Sequence, residues 1–316
     1  MLTDQVVRKT AFEWIEAQIA QYGEVLPRSI LEDGMLLSGH RVPFVGPQGI
    51  FKPKLLKDAP LSITTSPKSP YADEVLGNDL ILYRYRGTDP EHHENVGLRK
   101  ALKEGIPLIY FRGITPGKYF AALPVYIVGD NPAALAFMVQ VDEKSSALYA
   151  LNSPYDVADD GNSIRRKYVT AQVQRRVHQQ AFRERVLQAY KQQCAVCRLR
   201  HESLLDAAHI IGDKEDTGEP LVENGLSLCK LHHAAFDRNF FGIRPDYIIE
   251  VRQSILEESD GPMLQHGLKG IHKSVIVAPQ KAGLRPNPER LNSRFERFLS
   301  ATSAFKCRGE PHPSND

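Results

Sequence analysis

The chain has 316 residues, of which 42% are hydrophobic and 25% are charged, and its formal net charge is +2 at pH 7. These values are those of an ordinary soluble protein that can bury a core, and the length suggests two or three domains. No apolar run approaches the ~20 residues that a membrane span requires, and the charged N-terminus does not resemble a signal peptide. We therefore expect a cytoplasmic protein.

The first predicted element is a helix over residues 3–22, where apolar residues recur as a roughly helical stripe that ends at Gly23. From about residue 40 to residue 150 the sequence changes to short apolar or alternating runs separated by Gly, Pro, Asn and Asp, which predicts mainly β structure. One helix, from Val96 to Glu104, lies among the runs LSITT, DLILYRYR, IPLIYFRGI, LPVYIVGD and LAFMVQVD.

A basic helix is predicted over residues 164–192, after the acidic break DVADDGN. From Arg165 to Lys191 it carries eight cationic residues and one acidic residue, Glu184. Such a positive stripe suits a polyanion better than the small net charge of the chain does. A solvated helix face is the alternative, but the charge pattern favours phosphate contacts by Arg165, Arg166, Lys167, Arg175 and Arg176.

Two further elements are predicted after residue 237. The segment RPDYIIEVRQSIL indicates a strand pair, and PNPERLNSRFERFL indicates a closing helix whose first turn begins at a proline. The predicted organisation is an N-terminal domain over 1–155, a basic helical linker over 156–192, a C-terminal domain over 193–305 and a disordered tail over 306–316.

Four metal-binding residues form two short pairs, Cys194 with Cys197 and Cys229 with His232. This spacing is typical of a structural zinc site, because each pair spans one edge of a tetrahedron. Zinc would supply stability that the polar segment between the pairs, GDKEDTGEPLVENG, cannot provide by burial. His201 is a competing fourth ligand, and reduced, half-buried cysteines are the alternative. The one remaining cysteine lies in the polar tail, so no disulfide framework is expected.

A second polar set is interleaved with the first. His209 closes the strand-like run LLDAAHI, Asn224 opens the strand NGLSL, and the helix KLHHAAFDRNFF carries His233 and Asp237 on one face. Such a ββα unit has the parts that phosphodiester hydrolysis requires. Neutral His209 would take a proton from water, and Asn224 would hold that imidazole in orientation and tautomer. His233 and Asp237 would bind a catalytic Mg2+ or Mn2+ ion.

The order and spacing of these residues resemble the HNH (ββα-metal) endonuclease family, and NGLSLCKLHHAAFD is a specific match. The resemblance implies cleavage of DNA, with His209 as general base and the basic helix on the DNA backbone. One departure is Ala208, since many members have Asp or His there as a metal ligand. Either fewer protein ligands hold the ion, or Asp206 reaches in, or water fills the gap.

Aromatic residues alternate with arginines in YRYRG (83–87) and IYFRG (109–113). On a strand, Tyr83 and Tyr85 lie on one face and Arg84 and Arg86 on the other, so one face could stack a base while the other meets phosphate. Periodicity alone favours the alternative of aromatic core residues with solvated arginines.

The order of elements over residues 38–145 is similar to the SRA fold of the PUA-like group, whose members flip a modified cytosine into an aromatic pocket. The segments that carry the similarity are APLSITTSPKSPYAD, LILYRYRG, ENVGLRKAL, IPLIYFRGI and KYFAALPVYIV. This resemblance is the reason to expect a base-reading domain before the linker.

The SRA resemblance also implies site residues. Tyr71 and Tyr85 would sandwich the flipped base, and Asp73, or Glu74 in its place, would accept a hydrogen bond from the cytosine edge. Arg86 stands where these domains often have a small hydroxyl residue, which leaves the recognised modification open.

The sequence thus predicts an α+β protein: an SRA/PUA-like β-barrel with flanking helices, a helical linker, and a ββα-metal (HNH) nuclease domain with structural zinc. The expected function is a modification-dependent DNA endonuclease that reads 5-methyl- or 5-hydroxymethylcytosine and defends against foreign DNA. The alternatives are an HNH restriction endonuclease reading unmodified sequence and a non-catalytic zinc-dependent DNA-binding protein. Because one HNH centre cuts one strand at a time, we expect a homodimer acting on double-stranded DNA.

Overall fold

The computed structural model describes residues 3–67, 80–143, 160–213, 215–259 and 261–307. The chain divides into two compact units, Met1–Gln180 and Ala181–Asp316, called here the first and the second unit. The division falls inside the segment predicted as a linker.

The first unit begins with helix α1, Asp4–Tyr22. The Thr3 hydroxyl accepts a hydrogen bond from the Val6 N–H at 3.3 Å and caps its N-terminus. The helix ends at Gly23, whose φ of +86° is a conformation that glycine adopts without strain. The predicted N-terminal helix is confirmed. A second, short helix that the sequence did not predict, α2, covers Arg28–Asp33.

The first unit contains nine strands among its described residues: β1 Val25–Pro27, β2 Met35–Leu37, β3 His40–Val42, β4 Ile50–Phe51, β5 Ser62–Thr65, β6 Ile81–Arg84, β7 Leu108–Thr115, β8 Lys118–Asn131 and β9 Ala136–Val141. Its core is a seven-stranded sheet with the strand order β4-β5-β7-β8-β9-β6, in which β1 also pairs with β8. Strands β5 and β7 run parallel, and the other pairs are antiparallel. Helix α3, His93–Glu104, lies between β6 and β7 in the chain. A separate pair is formed by β2 and β3.

The predicted β-barrel is found in a partly open form. Among the described strands the hydrogen-bonded order ends at β4 on one side and at β6 on the other, and the sheet is a curled half-barrel. The SRA/PUA-like character of this barrel stays a prediction. The two edge strands have two and four residues, and such short edges present few backbone groups for a further pair.

Helix α4, Asp160–Ala189, begins in the first unit and ends in the second. In the first unit the Thr170 hydroxyl accepts a hydrogen bond from the Val141 N–H at 2.8 Å at the end of β9. The predicted basic helix is confirmed. No described helix is both long enough and apolar enough to cross a membrane.

The second unit contains the strand pair β10, Leu205–His209, and β11, Gly225–Cys229, followed directly by helix α5, Lys230–Asp237. A second pair, β12 Phe241–Ile243 and β13 Ile249–Val251, lies before the short helices α6, Gln253–Glu257, and α7, Pro262–Gly267. The long helix α8, Pro288–Cys307, comes last among the described elements. The core of this unit joins the end of α4 to β10, β11 and α5.

Two predictions about this unit are settled by its elements. The closing helix begins at Pro288 as predicted, and the Asn287 side chain accepts the Glu289 N–H at 2.9 Å to cap it. The strand pair was placed wrongly, because RPDYIIEVRQSIL contains only β13 and helix α6, and the partner strand β12 lies before it. Short strands carry too few residues for their periodicity to be read.

Candidate active site and metal centre

Cys194, Cys197, Cys229 and His232 converge in the second unit, and their ligand atoms all lie within 4.8 Å of one another. The His232 Nδ1 atom is 3.1 Å from Cys229 Sγ and 3.6 Å from Cys194 Sγ. Three sulfurs and one imidazole nitrogen around a common centre match the donor set of structural zinc sites. His201, the competing fourth ligand, is not a member of this group.

The orientation of His232 supports a metal site. Its Nε2 atom lies 2.8 Å from the carbonyl oxygen of Gly267, which accepts a hydrogen bond and thereby places the ring proton on Nε2. The Nδ1 lone pair then faces the sulfurs, as a metal ligand requires. The side chain is 2% exposed. A hydrogen bond from the Cys229 thiol lowers the pKa of Cys194, which favours the thiolate that binds metal.

The interleaved catalytic set also comes together, in a ββα arrangement. His209 is the last residue of β10 and lies opposite Gly225, the first residue of β11. Helix α5 follows β11 without a break and carries His233 and Asp237. One turn of helix separates these two residues, so the His233 Nε2 and Asp237 Oδ2 atoms lie 3.4 Å apart.

His209 is a partly buried imidazole whose surroundings favour the neutral form. The ring of Phe182 stacks on it with a centroid distance of 4.1 Å and an interplanar angle of 19°. Burial lowers the pKa of His209, His233 lowers it further, and Asp213 and Asp237 oppose the shift. A neutral imidazole near cellular pH can accept a proton, which a general base must do.

The Asn224 side chain was predicted to hold the His209 imidazole, but its hydrogen bonds go to the loop after β10. Its side chain is fully buried, accepts the Ile211 N–H at 2.9 Å, and donates to the Ile211 and Glu219 carbonyls at 2.9 and 3.1 Å. These bonds use both amide hydrogens, so none is left for His209. Asn224 therefore closes the polar loop between the two strands, and its own carbonyl accepts the Ile210 N–H next to His209.

Asp206 reaches the site, which is one of the three alternatives for the departure at Ala208. Its Oδ2 atom lies 3.5 Å from His233 Nδ1 and 2.5 Å from Lys230 Nζ. Burial alone would raise the pKa of Asp206, but hydrogen bonds from His233 and Lys230 outweigh it and lower the pKa to about 2. The contact with Asp206 also raises the pKa of His233. Ala208 is fully buried in the core and has no donor atom.

Three residues around this centre were missed in the sequence. Phe182 stacks on His209, and the Nε atom of its neighbour Arg183 lies 3.6 Å from Asp206 Oδ1. Arg294 of helix α8 donates to the Phe236 carbonyl at 2.6 Å, at the C-terminal end of α5, where a cation is favoured. Each is distant in sequence from its partner, so no local sequence spacing predicts the contact.

The residues predicted to contact the DNA backbone have two kinds of surroundings. Arg165 and Arg166 bind the fully buried carboxylate of Asp142 at 2.9 and 2.7 Å, which ties α4 to the end of β9. Arg176 pairs with Glu24. Lys167 and Arg175 lie on the exposed face of the helix.

The residues predicted for the base pocket are not assembled by the described structure. Tyr71, Asp73 and Glu74 lie outside the described residues. Tyr85 is 7% exposed, and its ring packs at 4.6 Å from Phe137. It therefore offers no free face to a base, which corrects the prediction in favour of the core alternative that periodicity had indicated.

The other face of the Tyr85 ring is also covered. The Arg99 guanidinium lies 5.7 Å from the ring centroid, and the Tyr85 hydroxyl donates to Asp130. Burial raises the pKa of this hydroxyl, and Asp130 raises it further. Arg86 points toward helix α3, with its Nε atom 3.7 Å from Glu94.

Comparison with known proteins places one segment in a family. Residues 194–244 match the profile of a family described as HNH endonuclease. No curated protein matches the chain. Among solved structures, similarity is found to a modification-dependent TagI restriction endonuclease, with 15% identity, 89% of each chain covered and a TM-score of 0.29.

A second similar structure is that of the type IV phosphorothioation-dependent restriction endonuclease ScoMcrA, with 15% identity, 67% of this chain and 56% of that chain covered and a TM-score of 0.21. Both structural likenesses are weak, so the assignment rests on the family match and on the geometry of the site. Residues 194–244 are an HNH endonuclease domain, and the protein that carries it is a metal-dependent DNA endonuclease.

Proposed function

We propose that the protein is a modification-dependent restriction endonuclease, in which the first unit reads a modified cytosine and the HNH domain of the second unit cuts the DNA. The observation that supports the cutting centre best is that His209, at the end of β10, interacts electrostatically with both His233 and Asp237, which form a pair on α5. The base, the ion ligands, and the strand and helix that present them are then all supplied by residues 205–237.

The catalytic ion is proposed to bind His233 and Asp237. Two ligands of one octahedral ion at ~2.1 Å are roughly 3 Å apart, and the 3.4 Å between His233 Nε2 and Asp237 Oδ2 is close to that separation. Such an ion neutralises charge on the phosphate and stabilises the leaving oxygen. Asp206 approaches the other ring nitrogen, where it holds the imidazole with Nε2 toward Asp237. Zinc is proposed for the cysteine cluster.

The role of the chain's own residues in hydrolysis follows from their protonation. His209, kept neutral by burial, accepts the proton of the attacking water. Asn224 fixes the loop that follows the base through its three hydrogen bonds to Ile211 and Glu219. Lys167 and Arg175, on the exposed face of α4, are proposed to hold the DNA backbone. The proposed contacts of Arg165, Arg166 and Arg176 with the DNA backbone rest on their charge alone.

Base reading by the first unit rests on the SRA resemblance and on a cavity. The cavity lies between residues 46–52 and the start of α3 and has a volume of about 290 Å³. This volume is near the lower end of the usual range for ligand pockets. The Glu94 carboxylate lines the cavity; among the described residues its buried Oε2 atom has no hydrogen-bond partner, and its nearest cation is Arg86, whose Nε atom lies 3.7 Å away. Such an acceptor suits the amino edge of a flipped cytosine. Tyr71 and Asp73 lie outside the described residues, and their roles stay predictions.

The reading step is tested by binding, separately from cutting. The full chain carrying His209→Ala is titrated with duplexes that contain one cytosine, 5-methylcytosine or 5-hydroxymethylcytosine at the same position. We expect the modified duplexes to bind at least ~10-fold more tightly, the equivalent of 1.4 kcal/mol. Equal affinities would favour the second candidate, an HNH restriction endonuclease that reads unmodified sequence.

A homodimer is proposed because a single HNH centre cuts one strand at a time. Two copies on one site would cut both strands of the duplex. Size-exclusion chromatography of the full chain at assay concentration tests this proposal, and a monomer that still makes double-strand breaks in one binding event would contradict it.

A further inference from the structure

The end of helix α4 places an aromatic ring against the catalytic imidazole. Phe182 is 2% exposed, and its ring lies nearly parallel to that of His209 at a centroid distance of 4.1 Å. We propose that Phe182 is a positioning residue that fixes the plane of the general base. The inference rests on the proposed role of His209 and adds to it the group that holds the base in place.

An imidazole at this position needs such a contact. The χ2 torsion of histidine is broad, so the ring turns easily unless a neighbour restrains it. The His209 Nε2 atom is buried and, among the described residues, has no hydrogen-bond partner. The Asn224 amide, which was predicted to orient the ring, uses both of its hydrogens on backbone carbonyls. A flat ring packed face to face is therefore the contact that restricts rotation.

The strand opposite His209 is shaped to admit the aromatic ring. Gly225 is the register partner of His209 in β11. A Cβ atom built on Gly225 would lie 2.9 Å from Phe182 Cζ and 2.4 Å from Val186 Cγ2, both closer than real contacts allow. Any side chain at position 225 would thus displace the Phe182 ring and the Val186 side chain from their present positions, and with the ring its stack on the base. The stack depends on two residues that are far apart in sequence.

Two substitutions in the full chain disturb the stack by independent routes. Phe182→Leu keeps an apolar side chain but removes the flat face, and Gly225→Ala keeps the phenylalanine but displaces its ring. Single-turnover cleavage is measured with enzyme in excess over a DNA duplex that the unaltered protein cuts, together with DNA affinity, zinc content and melting temperature. Ile255→Ala, at a 4% exposed core position in α6, is the control for lost stability alone.

We expect each variant to cut ~10- to 100-fold more slowly, because an error of about 1 Å in a reacting group has costs of that order. DNA affinity and zinc content should stay unchanged, and the double variant should be no slower than the slower single variant, since both act on one contact. Ile255→Ala should melt at a lower temperature and cut at the normal rate.

Three outcomes would overturn the inference: normal cutting by Phe182→Leu, rate losses that multiply in the double variant, or a loss in Ile255→Ala as large as that in Phe182→Leu. His209→Ala separates this inference from the proposed function. If His209→Ala cuts normally, the role of the base itself is wrong. If His209→Ala is inactive while Phe182→Leu cuts at full rate, only the positioning role fails.

Discussion

At the scale of single residues, His233 has a carboxylate near each ring nitrogen, with Asp206 at 3.5 Å from Nδ1 and Asp237 at 3.4 Å from Nε2. An imidazole can give only one nitrogen to a given ion, so the two acids have different tasks. Lys230 lies 2.5 Å from Asp206 and offsets its charge. Asp237 is the more exposed of the two, at 59% against 26%, and is the better placed ligand.

Asp206→Asn should therefore weaken the catalytic ion without removing the base. Loss of such a supporting carboxylate usually costs ~10- to 100-fold in metal affinity. We expect the Mn2+ concentration for half-maximal cleavage, and the Mn2+ dissociation constant from calorimetry, to rise by that factor, while the rate at saturating Mn2+ is largely recovered. Asp246→Asn, which removes a carboxylate paired with Arg244, is the control. An unchanged Mn2+ requirement in Asp206→Asn would refute the supporting role.

The acid limb of the pH profile should report His209. Burial lowers its pKa from the ordinary value of 6.5, and only the neutral imidazole can accept a proton. As pH falls, protonation removes the base, so the single-turnover rate at saturating metal should be level above pH 6.5 and decline only below it. A midpoint clearly above 6.5 would mean that another group limits the rate.

At the scale of elements, the cysteine cluster ties the turn after α4 to the junction of β11 and α5. Cys194 and Cys197 lie in the turn, and Cys229 and His232 lie on either side of the start of α5. The same helix carries His233 and Asp237, so the proposed zinc ion holds the helix that presents the catalytic ligands.

Removal of zinc should consequently abolish cutting through the fold. With Cys229→Ser, or after dialysis against a strong chelator, we expect less than one zinc per chain, a lower melting temperature and no cleavage even in excess Mg2+. Elemental analysis and calorimetry measure the first two quantities. Full cleavage by a zinc-free protein would show that the cluster is not structural.

Much of the element pattern was readable because its signals are local. Helix α1 follows from an apolar stripe that ends at Gly23, α4 from a basic stretch after an acidic break, and α8 from a first turn that begins at a proline. The cysteine and histidine cluster follows from two short spacings. Strand β8 was not readable at its full length of 14 residues, since it continues through Pro124, which normally argues against a strand.

The proposed base and ion ligands could be predicted from the sequence, but the residues that contact them from other elements could not. His209, His233 and Asp237 could be placed by spacing, whereas Phe182 and Arg183 reach the centre from another helix, across a distance in sequence that no periodicity encodes. Alternation could assign Tyr83 and Tyr85 to one face of a strand but could not tell which face is buried. Both tyrosines are core residues.

At the scale of the whole molecule, the small net charge of +2 conceals exposed cations on α4. The double substitution Lys167→Gln with Arg175→Gln should weaken binding to all DNA sequences and reduce the slope of log affinity against log salt by about 2, near 0.9 for each lost phosphate contact. Lys9→Gln, an exposed cation on α1, is the matched control. An unchanged slope would exclude these two residues from the DNA contact.

The measurement that tests the central claim most directly is the digestion of one plasmid in three forms, containing cytosine, 5-methylcytosine or 5-hydroxymethylcytosine, by the full chain and by His209→Ala with Mg2+ or Mn2+. We predict cleavage of at least one modified form, little or no cleavage of the unmodified form, and no cleavage by His209→Ala at unchanged zinc content. Equal cleavage of all three forms, or full activity of His209→Ala, would contradict the account.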